Sequence, residues 1–414
     1  MEPRVPRHER LHYVDGLRVL ALAGVFLVHV SMVFNPFEPW HIQDPVGSRA
    51  IGQVAVLMAP WVLPLFMLLA GVSAWFSLQH RSNAGVLRER STRVLIPLVI
   101  GVLVLIPPQV YLERRLQGEF AGSYLAFYPQ FFDGIYPDGN FSWHHLWFLG
   151  HLFIYSIVAL PLFRFWQSER GRLQLRRTAA WLGRRGGLIW LAVPLMLQRM
   201  VLWVFFEERE LLTRDWSNQG LLFVAYLYGF ALAGEPEFGR QVDREWRRAA
   251  VAALVTTGTL GVLTWTGFLP ERLPQAYSPR FILFWALYSV GAWAWIVALL
   301  GAGRLLIGGP GRIMRYAGTR AYIWYLLHQT VIVGGAYLLV QSDVGVGWKY
   351  AALLVGALAV TLAGAEVLAR MGVVGRAMGV WNQPPPLEVP RSDGSEGVSR
   401  PRNAPPAQGP ERPT

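Results

Sequence analysis

Stretches of about 20 mostly apolar residues recur along this 414-residue chain, and they limit the fold more than any other feature. A hydrocarbon core of about 30 Å is crossed by about 20 helical residues, so stretches near this length are candidate spans. They fall near 17–34, 54–78, 94–112, 146–166, 187–206, 218–234, 248–269, 280–300, 317–340 and 349–369. Inside a bilayer no water satisfies backbone N–H and C=O groups, so consecutive spans of this length fold as helices. The expectation is an all-α, polytopic membrane helix bundle of about ten transmembrane helices. The 218–234 segment is short, and a kink is expected in 54–78, where Pro60 and Pro64 each remove a helix donor. Composition agrees with this class: 15% of residues are charged and 53% hydrophobic, whereas a soluble domain is about one-quarter charged.

A net charge of +12 raises the question of a polyanionic partner. The placement of the basic residues answers it. Arg4, Arg7, Arg10 and Arg18, then Arg81, Arg88, Arg90 and Arg93, then the run from Arg164 to Arg185, then Arg240, Arg244, Arg247 and Arg248, all fall on one side if both termini are cytoplasmic. Arg304, Arg312, Arg315 and the arginines of the tail fall there too. Such asymmetry orients a membrane protein. It predicts a multi-pass protein of the cell inner membrane with cytoplasmic termini, and it calls for the lipid bilayer, not nucleic acid, as partner.

Cysteine is absent, so disulfides, thiolate metal sites and cysteine nucleophiles are excluded. No cleavable signal is expected, because Met1–Tyr13 is polar and the first apolar run is long enough to span. After Trp381 the chain is rich in Pro, Ser, Gly and charge and cannot bury a core. Three parts follow: an N-terminal cytoplasmic segment at 1–16, a membrane domain at 17–381, and a disordered Pro-rich cytoplasmic tail at 382–414. No internal repeat of the inverted-transporter kind stands out.

The first span, VDGLRVLALAGVFLVHVSMVF, opens on Arg18 and carries His29 within it. Eleven helical steps make about three turns, so the two side chains share a face and lie roughly 16 Å apart along the axis. That puts Arg18 at the cytoplasmic boundary and His29 near mid-membrane. Arg18 reads equally as a snorkelling anchor. His29 is either a buried neutral ring or a proton acceptor, since an unperturbed imidazole titrates near 6.5.

YVDGLRVLALAGVFLVHV resembles the opening helix of the acyltransferase 3 family of integral membrane acyltransferases, which includes polysaccharide O-acyltransferases and glucan-modifying succinyltransferases. The shared feature is an Arg and a His separated by ten residues, here Arg18 and His29 after Asp15-Gly16-Leu17. PLFMLLAGVSAWF, RERSTRVLIP, HHLWFLGHLFIYS and YIWYLLHQTVI resemble later landmarks of the family, in family order. Ala70 stands where the family more often has serine. The resemblance implies transfer of an acyl group from acyl-CoA, as co-substrate, to a hydroxyl of a saccharide or glycolipid acceptor. O-acetylation or another polysaccharide or glucan modification is of this kind, and no tightly bound cofactor is implied. His29 would act as general base and Arg18 would meet donor phosphates with its planar fork. A permease or exporter of a polar or acylated molecule, with His29 as proton carrier, is the competing reading.

Further candidates carry their own alternatives. Arg93, just before VLIP, is a second donor contact or a positive-inside anchor. His144 and His145 with Trp147 line an acceptor entrance or belong to an interfacial belt. Tyr325 and His328 lie one turn apart, where His328 reads best as a structural imidazole, and Asp15 caps the first helix or pairs with an arginine. No metal site is assigned, because any pairing of these histidines needs tertiary contacts. The segment 113–145, dense in Tyr, Phe, Trp, Gly and Asp, suits sugar stacking and headgroup-level packing equally.

Overall fold

The computed structural model describes residues 12–206, 216–269, 276–307 and 311–379. Residues 1–11, 207–215 and 380–414 lie outside the described residues, and with them fall most of the expected N-terminal segment, nearly all of the connection between the 187–206 and 218–234 spans, and the tail. Among the described residues the regular structure is helical, with no strand and one isolated bridge between Ile135 and Phe141.

The chain opens with α1 (His12–Met32) and α2 (Arg49–Gln79). α3 (Asn83–Arg90) passes through a π turn at Ser91–Leu95 into α4 (Ile96–Val104), and α5 (Pro107–Leu116) follows where two prolines interrupt the ladder. After the short α6 (Tyr124–Phe127), α7 (Trp147–Val158) meets α8 (Leu160–Gln167) at a 51° bend. Pro161, which has no N–H to donate, sits in the first turn of α8. Then come α9 (Glu169–Arg184), α10 (Ala192–Phe205), α11 (Trp216–Gly234), α12 (Pro236–Trp265), α13 (Pro279–Leu306), α14 (Arg312–Leu339), α15 (Val346–Arg370) and α16 (Val373–Ala377).

Each of the ten expected spans falls on helix, but they are not equal. Seven helical segments are long and apolar enough to cross a membrane, or eight if the bent α7–α8 pair is one span. α11 and α14 have the length, at 19 and 28 residues, and lack the apolarity. α11 opens on Ser217, Asn218 and Gln219, and α14 carries Arg312, Arg320, His328 and Gln329. Such residues are tolerated where neighbouring helices cover them. α2 runs unbroken for 31 residues through Pro60 and Pro64.

α1 runs through the middle of the bundle, against α2, α13, α14 and α15. α2 and α11 cross backbone to backbone at two glycines: a Cβ on Gly71 would land on the Tyr226 carbonyl oxygen, and one on Gly229 on that of Leu68. In lipid, where burial of apolar surface drives little association, such close approach is what holds helices together. Val251, Leu254, Val255 and Val262 on α12, and Val355, Leu358, Val360 and Val367 on α15, stay exposed and form the lipid-facing side.

The basic connection 164–187, expected as a loop, holds a helix. Ser168 caps α9 by accepting from the Gly171 N–H, and Gly171, Leu175, Ala179 and Leu182 make a buried stripe while the arginines stay out. At the other end of the bundle the connection 33–48 is packed down as a plug. Phe34 and Ile42 are fully buried with Ile332 and Val333 of α14. Lys349 Nζ of α15 lies 2.8 Å from Asp44 Oδ2 within that packing.

Candidate functional site

Helix α1 joins two polar clusters at opposite ends of the bundle. At its N-terminal end Arg18 Nη1 donates to Asp15 Oδ1 at 2.8 Å, and its Nη2 donates to Ser73 Oγ of α2. Ser73 Oγ in turn donates to the Leu69 carbonyl. Asp15 thus pairs with an arginine. The serine absent at position 70 has a counterpart nearly one turn later, and its hydroxyl reaches the arginine. One further turn along α2, Ser77 Oγ donates to Glu89, which also draws Arg81 and, at 3.7 Å, Arg93 of the π turn. Arg18 and Arg93 therefore gather at the same end of α2. A cavity of about 550 Å³ opens at that end, bordered by Trp75, His80, Arg164, Arg172 and Arg176.

His29 stands at the other end, in the last turn of α1, three residues before the helix stops at Met32. Its Nδ1 lies 2.8 Å from the Val25 carbonyl oxygen. A carbonyl only accepts, so Nδ1 carries the proton and Nε2 of the neutral ring presents a lone pair. The ring of His328 is 5.0 Å away edge-on, and His145 stands 5.0 Å beyond His328. Each is pinned in the same manner: His328 Nδ1 donates to Tyr325 O at 2.6 Å, and His145 Nε2 to Leu326 O at 3.1 Å. The remaining nitrogens, His328 Nε2 and His145 Nδ1, are buried with no hydrogen-bond partner among the described residues. Three imidazoles from α1, α14 and the turn before α7 thus stand in a row, each with one nitrogen fixed on a backbone carbonyl and one bare.

Tyr325 braces this row: its hydroxyl donates to the His145 carbonyl at 2.5 Å while its ring meets both histidines. Trp147 is not brought to the row; it packs on His151 and Phe148. Beside His328, Gln329 Nε2 donates to Gln109 Oε1, and Gln109 Nε2 to Thr330 Oγ1, so a polar ladder joins α14 to α5. Over the row lies the plug, with the Trp40 ring 6.2 Å from His29 and 5.2 Å from His41. His41, Glu113 of α5 and His144 bring ligand-type atoms within 4.8 Å of one another. The aromatic residues of the 113–145 segment largely pack on one another and on Tyr111 of α5, as in the Phe120, Tyr124 and Phe127 rings.

The sequence singles out His29, His145, His328 and Tyr325, and of these its helical spacing places only Tyr325 and His328 together. It missed Ser73, His41, Glu113 and the glutamines. Glu113 had one visible signal, an acid closing an apolar run before two arginines.

The acyltransferase domain of the acyltransferase 3 family matches residues 11–370. The chain belongs to that family. It is a multi-pass, all-helical membrane acyltransferase, and the domain match takes in both polar clusters and every helix between them. No curated protein and no solved structure matches the chain.

Proposed function

We propose that this acyltransferase moves an acyl group from acyl-CoA to a hydroxyl of a saccharide-type acceptor, with His29 as general base. The observation that carries the reading is the His29 ring itself, whose Nδ1–H is held on Val25 O so that Nε2 keeps a free lone pair, in a ring 5.0 Å from that of His328. The acceptor hydroxyl attacks the thioester carbon while Nε2 takes its proton. The new C–O bond forms as the C–S bond breaks, and the departing thiolate of CoA recovers the proton from the imidazolium. His328 and His145, each with a bare nitrogen, accept hydrogen bonds from other hydroxyls of a polyol and so orient it.

The donor enters at the opposite end. Arg18 and Arg93 meet its phosphates, the arginine-bordered cavity takes the nucleotide, and the pantetheine arm runs roughly 16 Å along α1 to His29. The basic helix α9 lies at this end, so both termini and α9 are cytoplasmic, in the inner membrane of the cell. A green fluorescent protein inserted in the α9 connection should fluoresce, and an alkaline phosphatase there should be inactive. The reverse pattern overturns the orientation.

The direct test is release of free CoA when purified protein is given labelled acyl-CoA and a panel of glycans; no release with any pair overturns the reading. Arg18→Lys should lower kcat/KM for acyl-CoA about tenfold or more, because an ammonium cannot hold Asp15 and Ser73 and still present a planar fork to phosphate. Unchanged turnover and unchanged KM in the lysine variant would leave Arg18 as a helix anchor.

A further inference from the structure

We infer that His41, Glu113 and His144 form a zinc-type metal site that clamps the outer end of the bundle over the histidine row. The three residues come from three separate segments: the plug 33–48, helix α5 and the turn before α7. Two imidazoles and one carboxylate supply three N/O donors of a tetrahedral zinc centre, and nothing in the set is soft enough to demand another metal.

Geometry supports this on three counts. The ligand-type atoms all lie within 4.8 Å of one another, and His41 Nδ1 is 3.1 Å from Glu113 Oε2. Neighbouring ligand atoms of a tetrahedral zinc are about 3.3 Å apart, so the first pair is at coordination distance and the third ligand needs only a small closure. His144 Nε2 is buried without a hydrogen-bond partner among the described residues, in a residue only 7% exposed, and its ring is 3.9 Å from that of His41. An imidazole nitrogen in that position is costly unless something fills it. The ion-pair partner of Glu113 is His41, which is charged only when protonated, while the Glu113 carboxylate is 3% exposed. A buried carboxylate beside two imidazoles is a donor set that a divalent cation satisfies.

The surrounding contacts are those of a supporting shell. Ser142 Oγ lies 3.1 Å from His144 Nδ1, so a proton donated there leaves the lone pair on Nε2. The Tyr136 hydroxyl donates to Glu113 Oε1 at 2.9 Å and fixes the carboxylate from its other oxygen. His144 itself adopts φ of 37°, a left-handed conformation that a non-glycine residue holds only where its surroundings impose it. Through Trp40, which contacts both His41 and His29, the metal holds the plug down on the row.

The test does not depend on the acyl-transfer reading. Full-length protein purified in detergent through a histidine-free tag is stripped with chelator, loaded with zinc, desalted and measured for metal content. About one zinc per chain is expected, lost in His144→Ala and in Glu113→Gln, and kept in His151→Ala, whose imidazole contacts Trp147 instead. Ser142→Ala should weaken zinc affinity about 10- to 100-fold, the usual effect of removing a partner behind a ligating histidine. Cobalt added to the unaltered chain should give the visible absorption of a tetrahedral N/O site and be displaced by zinc, a readout that no misfolded variant can imitate. Failure of the unaltered protein to retain zinc, or equal retention in both ligand variants, overturns the assignment.

Discussion

His29→Gln should insert and fold normally and yet lose acyl transfer by a factor of about 10² to 10⁴, the usual contribution of a positioned general base. Glutamine keeps much of the volume, and its amide N–H can still donate to Val25 O in place of Nδ1. What it cannot do is accept the hydroxyl proton near neutrality. His328→Gln should cost less, since its Nδ1 also donates to a backbone carbonyl, a bond an amide reproduces, and no proton need be taken there. Both variants should be compared at equal membrane abundance, with thermal unfolding to show that the bundle is intact. A well-folded His29→Gln protein that keeps most of its transfer activity would make the histidine architectural.

Lys349→Met should destabilise the chain by about 3–5 kcal/mol, the usual cost of removing one partner from a buried ion pair. Lys349 Nζ and Asp44 Oδ2 are 2.8 Å apart, with side chains 5% and 0% exposed. Without the ammonium, Asp44 keeps its contacts to the Val46 and Gly47 N–H groups but is left as an uncompensated buried charge under the plug. Adding Asp44→Asn should recover a large part of the loss, because the amide oxygen can still accept those N–H groups and carries no charge. Thermal unfolding in detergent reads both changes. An unchanged midpoint for Lys349→Met would mean that the pair is solvated in the membrane-embedded protein.

Much of the helical framework was legible because its cause is local. An apolar run of about 20 residues has few ways to satisfy its backbone in lipid, so all ten expected segments are helices. The Pro161 bend and the α9 helix were not foreseen, although side chains near them in sequence account for both. Where local reading failed, the reason lay in distant partners. α11 and α14 fall below the apolarity of a free-standing span, and on α14 the buried Gln329 is met by Gln109 of the distant α5.

The sequence by itself determined the helical class, the family landmarks and the face shared by Arg18 and His29, all consequences of spacing along a single helix. Only the tertiary structure decided that His29, His328 and His145 stand in one row, that Arg18 is held by Ser73, and that His41 and His144 meet Glu113. The reason is physical: the helices meet through close backbone contacts such as Gly71 on Tyr226 and Gly229 on Leu68, which join segments more than 150 residues apart. Which buried nitrogens those contacts bring face to face is not written in the periodicity of either helix.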